Sequence, residues 1–171
     1  MYFSLGGIDV PIECFADFEQ SYDVLTASSI LRMSDGSAIK QTAWGGKLKI
    51  NTSGSGWAPL GFTGLNFENP LLFKCAKPRA LDGATEIITL PAARRTDSGY
   101  TPIGFAVVDN ELVETPIDSL VANVATLITV ANATAYRVHY WPEISVFVKE
   151  PAENWNKSGN SHGWSFEAEE V

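Results

Sequence analysis

The stretch from Arg32 to Cys75, RMSDGSAIKQTAWGGKLKINTSGSGWAPLGFTGLNFENPLLFKC, constrains the fold more than any other part of the chain. Asp35-Gly36, Gly45-Gly46, Ser53-Gly54-Ser55-Gly56 and Asn69-Pro70 divide it into short segments rich in β-branched and aromatic residues. Punctuation at that spacing calls for many short strands joined by turns. The stretch carries almost nothing that does chemistry, which suits a protein that builds something more than one that turns over a substrate.

The rest of the 171 residues follows the same pattern, with 14 Gly and 9 Pro scattered throughout. A chain of this size buries roughly two-thirds of its unfolded surface, enough for one domain or for a compact domain carrying a smaller one. Val24 to Met33 and Ala38 to Trp44 read as strands joined by the Asp35-Gly36 turn, because Asp-Gly tolerates positive φ at both central positions. Lys47 to Asn51 alternates polar and apolar residues as a half-buried strand. Leu71 to Cys75, Thr85 to Leu90, Gly104 to Val108 and Leu112 to Thr115 follow, the last two flanking Asp109-Asn110. Leu120 to Val130 fits a helix or a strand; its Val, Ile and Thr content favours a strand. Tyr136 to Trp141 and Ile144 to Lys149 are strands bent at Pro142. Trp164 to Glu170 alternates most cleanly, with Trp164, Phe166 and Ala168 inward. Pro78 to Gly83, Pro91 to Gly99 and Pro151 to Gly163 read as loops, and Ser53 to Gly56 as a turn or lip before Trp57. Trp44 and Trp164 are expected in the core. The expected fold is all-β, a sandwich or barrel-like core in which the first and last segments pair. Residues 1–77 and 140–171 form that core, and residues 78–139 an inserted small β subdomain.

Charge is segregated. Against a net charge of −8, residues 1–31 hold five acids and no base, and residues 97–118 again five acids and no base. Residues 32–49 hold Arg32, Lys40, Lys47 and Lys49 against Asp35, and residues 74–95 five bases against two acids. No segment forms the basic stripe of a nucleic-acid binder, so sequence-specific nucleic-acid binding is not expected. Blocks of opposite sign suit self-association through complementary faces. Leu120 to Val130 is too short and polar to span a bilayer, and the N-terminus lacks a signal peptide's basic start, so no membrane insertion is expected. Cys14 and Cys75 have no zinc-type spacing and read as buried free thiols.

Candidate chemistry is thin. His139 lies mid-strand between aromatics, and His162 sits in SGNSHG without a nucleophile elbow. Glu111/Glu114 and Glu167/Glu169 read as solvated strand faces. Glu167 and Glu169 point the same way and repel unless a cation sits opposite. Ser53-Gly-Ser-Gly56 lacks the GK[ST] ending of a phosphate loop. No catalytic residue, cofactor or metal ligand is expected. Exposed Trp keeps a carbohydrate- or surface-binding β module in view as the alternative, with Trp57 and Trp155 in loops.

RMSDGSAIKQTAW, INTSGSGWAPLGFTGLNF, ATAYRVHYWPEISVF and the closing GWSFEAEEV together resemble small tail proteins of long-tailed bacteriophages, nearest the distal tail proteins. The resemblance covers most of the chain and rests on short structural motifs. It implies a tail-tube-like β core that assembles with itself as a hexameric ring. That ring would lie in the virion at the tail tip and join the tube to hub or fibre proteins, after synthesis in the host cytoplasm. A tail-tube or tail-completion protein shares these features. Many family members are larger and carry an added peripheral domain for which this chain has little room. The interface candidates are Arg32, Lys40, Lys47, Lys49, Trp57 and Trp155.

Overall fold

A computed structural model describes residues 2–171. Strand accounts for 59 % of residues and helix for 2 %, in three antiparallel sheets, and no barrel closes. The chain begins with β1 (Ser4–Leu5), β2 (Ile8–Asp9) and a 3-10 turn over Ile12–Cys14. Two long strands follow, β3 (Asp17–Arg32) and β4 (Ala38–Gly56). Beyond a loop come β5 (Leu71–Lys74), β6 (Arg79–Gly83), β7 (Ile87–Thr89), β8 (Ile103–Val108) and β9 (Glu111–Thr115). The chain continues through β10 (Ile117–Val121), β11 (Val124–Leu127), β12 (Ala135–Tyr140), β13 (Glu143–Val148), β14 (Ala152–Asn156) and β15 (Ser161–Glu170). Two compact units result, one of residues 1–3 and 73–144, the other of residues 4–72 and 145–171.

The unit of residues 4–72 and 145–171 is built on the largest sheet, ordered β2-β1-β5-β13-β15-β4-β3 with β14 also on β15. The last strand therefore pairs with β4, β13 and β14; the first segments lie at one edge of the sheet, not beside the last. Alternation sorts the faces of β15 as its sequence demands: Trp164, Phe166 and Ala168 are buried. Phe166 packs edge-on against Phe62 at 6.1 Å, and Trp164 Nε1 donates to the Cys14 carbonyl at 2.6 Å.

Ser53 to Gly56 is no lip. It is the interior of β4, with Gly54 paired to Phe18 on one side and Trp164 on the other. The glycines are there for space. A Cβ on Gly56 would lie 2.1 Å from the Glu13 carbonyl oxygen, and one on Gly54 2.7 Å from the Trp164 ring. The obstacles at Gly56 are all backbone atoms of Glu13 and Cys14, so the backbone must move. Gly56→Ala is expected to lower stability by about 1–3 kcal/mol, read as a lower denaturant midpoint at unchanged slope.

The unit of residues 1–3 and 73–144 is a four-on-three sandwich. The sheet β6-β12-β8-β9 faces the sheet β10-β11-β7 across one cluster that holds Ile88, Ala106, Ala125, Leu127, Tyr136 and Val138. Arg79–Gly83, expected as loop, is β6, paired to β12 along its whole length. Leu120 to Val130 is two strands, not one: Ala122 and Asn123 take φ of 47° and 67° and turn β10 into β11. Asp109 and Asn110 turn β8 into β9 in the same way, at 50° and 67°. Residues 73–77 and 140–144, expected with the first sheet, group with this unit, although Phe73, Lys74, Glu143 and Ile144 are also residues of β5 and β13 in the largest sheet. Arg95 donates to the carbonyls of Cys75 (3.1 Å) and Tyr2 (2.8 Å), and its own N–H bonds the Trp141 carbonyl at 2.8 Å.

Candidate protein interface

β3 and β4 outrun their sheet. β15 covers β4 only from Lys49 to Gly56, yet the β3–β4 pairing continues from Leu25↔Lys47 to Arg32↔Ala38. The result is a two-stranded arm, about 25 Å long at ~3.3 Å per residue. Every residue from Ser28 to Lys47 is exposed. Two register shifts bend the arm near its root, where Gly45 and Gly46 (φ 82°) oppose Thr26. Bulges of this kind twist a ribbon away from the sheet that carries it. At the tip, Asp35 Oδ1 accepts from the Ser37 N–H (2.9 Å) and hydroxyl (2.7 Å), and these bonds hold its carboxyl below the usual carboxylate range.

The arm is not a polar finger. Ile30 (66 % exposed), Leu31, Met33, Ile39 and Trp44 (54 %) all meet solvent. Trp44, expected in the core, lies outside it because its segment has left the sheet. A solitary two-stranded ribbon is marginally stable in water, and this one exposes five large apolar side chains, a feature of the kind that marks interaction sites.

The basic candidates separate into groups. Lys49 sits at the arm's root and pairs with Glu167 at 3.0 Å, which Lys149 also approaches at 3.6 Å. That answers the repulsion expected of Glu167 and Glu169, and the hydrogen bond from Lys49 holds the Glu167 carboxyl below its ordinary range. Lys47 Nζ donates to the Val171 carbonyl at 2.5 Å. Arg32 Nη1 donates to the Gly36 carbonyl at 3.2 Å and so closes the tip. Lys40, across from Ile30 on the exposed ribbon, has no ion-pair partner among the described residues. Part of the acidic N-terminal block thus meets the basic block within one sheet, as Asp23↔Lys49 shows.

Trp57 and Trp155 are each 58 % exposed. Trp57 follows β4, its N–H bonded to the Glu13 carbonyl at 2.8 Å. Trp155 is not in a loop: Ala152–Asn156 is an exposed edge strand, and its indole stacks on His162 with centroids 6.3 Å apart. His139 packs 4.6 Å from the Phe105 ring, and burial pushes its pKa below the ordinary value. Cys14 and Cys75 are both buried thiols, and burial raises the Cys14 thiol. Sequence reading missed the arm's reach, because alternation marks a strand without saying where its neighbours stop. No protein family, curated protein or solved structure matches this chain.

Proposed function

We propose that the chain is a structural subunit of a bacteriophage tail tip, assembling into a hexameric ring that connects the tail tube to hub or fibre proteins. The arm carries this reading. Its exposed apolar side chains lie on a ribbon that no third strand joins among the described residues, so the subunit as it stands is an incomplete surface. Closed rings of identical subunits join one face to a different face, and a projecting element on each copy supplies one half of such a joint. The tail-tip assignment itself rests on the resemblance of the quoted motifs.

Multi-angle light scattering on the purified protein over a wide concentration range tests it. The expected species is a discrete oligomer of six subunits, and the protein is expected in purified tails at their distal end. A monomer at every concentration that also fails to bind tails lacking it overturns the proposal.

A further inference from the structure

The arm needs an acceptor, and the other unit displays one. β9 ends the four-stranded sheet and β10 ends the three-stranded sheet. The two are consecutive in the chain, separated only by Pro116, so one continuous segment forms the outer edge of both sheets. From Glu111 to Val121 only Thr115 is buried and Ile117 half-buried; the other residues are exposed. Among the described residues no strand pairs with the outer side of either strand. Two left-handed hairpin turns, at Asp109-Asn110 and Ala122-Asn123, bound the segment and hold it extended.

The chemistry of this edge complements the arm. Leu112, Val113, Leu120 and Val121 (69 % exposed) provide apolar surface. Asp109, Glu111, Glu114 and Asp118 provide charge, and no Lys or Arg lies between Arg95 and Arg137. The segment has no ion pair among the described residues. The arm offers the matching set: apolar Ile30, Leu31, Ile39 and Trp44, cationic Arg32 and Lys40, and a β4 backbone edge free from Ala38 to Lys47. An uncovered edge next to apolar side chains is a template for strand addition.

We infer that the arm of a second copy of this chain docks along the Glu111–Val121 edge by strand addition, with Arg32 and Lys40, which share one face of the ribbon, set against the acidic side chains on the facing side of that edge. This rests on the ring reading and names the joint. Arm and edge are different surfaces of one chain, so the contact is head-to-tail and repeats from copy to copy.

Charge reversal tests it. Lys40→Glu with Arg32→Glu on the arm, and Glu111→Lys with Glu114→Lys on the edge, are each expected to weaken self-association roughly 100-fold, since like charges juxtaposed at an interface cost several kcal/mol. A chain carrying all four changes is expected to recover to within about tenfold of the parent. All four side chains are exposed, and an unchanged circular dichroism spectrum shows that each variant folds. The milder Glu111→Gln with Glu114→Gln keeps the test open if the reversed edge does not fold, with a loss of roughly tenfold expected. Edge variants that assemble like the parent, or a fourfold variant as weak as either pair, overturn the inference and leave the ring reading standing. A parent chain that is monomeric throughout overturns this inference, and one that also fails to bind tails lacking it overturns both.

Discussion

Arg95→Met is expected to destabilise the unit of residues 1–3 and 73–144 by about 3–5 kcal/mol, the loss found when one partner of a buried ion pair is removed. Arg95 is fully buried, yet every face of its guanidinium is used. Nε and Nη2 form a fork with the two Asp97 oxygens at 3.0 and 2.5 Å. Nη1 reaches the carbonyls of Tyr2 and Cys75, and the Tyr100 ring centroid lies 3.2 Å from Cζ. Met fills much of the volume but donates nothing, so two carbonyls and a carboxylate each lose a donor at once, the Tyr2 carbonyl keeping only the Tyr100 hydroxyl. Arg95→Lys keeps the charge and loses the planar fork, so it is expected to recover only part of the stability.

A pH titration separates this pair from simple packing. The Arg95 guanidinium bonds the Asp97 carboxyl and holds its pKa below the unfolded value. A carboxyl depressed in the folded state contributes stability above its unfolded pKa of about 3.9, and that contribution is lost as pH falls through the folded pKa. Urea midpoints should therefore fall at acid pH in the parent. The component due to Asp97 should shrink in Arg95→Met; an identical acid slope in both proteins would show that the fork does not hold Asp97 ionised.

How far the sequence disclosed all this depended on which force set each element. Where side chains decide, it was legible. Tyr136, Val138 and Tyr140 bury one face of β12 as their spacing demands, and Asp109-Asn110 turns with positive φ at both positions, whereas at Asp35-Gly36 only Gly36 takes it. Where backbone pairing decides, it was not. Ala152–Asn156 and Arg79–Gly83 are polar or Pro-flanked, yet each completes a ladder beside a strongly patterned strand. Ser53 to Gly56 looked flexible because glycine signals freedom, whereas here its missing Cβ makes room for Trp164 and the Glu13 carbonyl. The six interface candidates were drawn from charge and aromaticity alone, and the structure divides them. Lys49 is engaged at the root, Lys47 bonds the Val171 carbonyl, Arg32 makes a local bond, Lys40 lies on the exposed ribbon, and the two indoles lie outside the arm. Trp44, assigned to the core, is the aromatic side chain on the arm itself.

Shortening the arm is expected to abolish assembly without unfolding the subunit. Replacing residues 28–42 by a two-residue Asn-Gly turn removes Ile30, Leu31, Met33 and Ile39, all of them exposed, and leaves the β4 segment that β15 covers untouched. The excised ribbon contributes no buried side chain, so the melting temperature should change by only a few degrees, the effect of about 1 kcal/mol or less on a domain of this size. The same deletion takes away the apolar surface and two of the cations that mark the arm as half of a joint. Light scattering should then report a monomer under conditions where the parent forms its oligomer, a loss of more than about 1,000-fold in association. The two readouts pull apart the possible roles of the ribbon. A subunit that unfolds when shortened would make the arm a structural brace. One that stays folded and still assembles would place the joint elsewhere, on the exposed Trp57 and Trp155 first of all. A folded monomer is the result that an arm built for a neighbour requires.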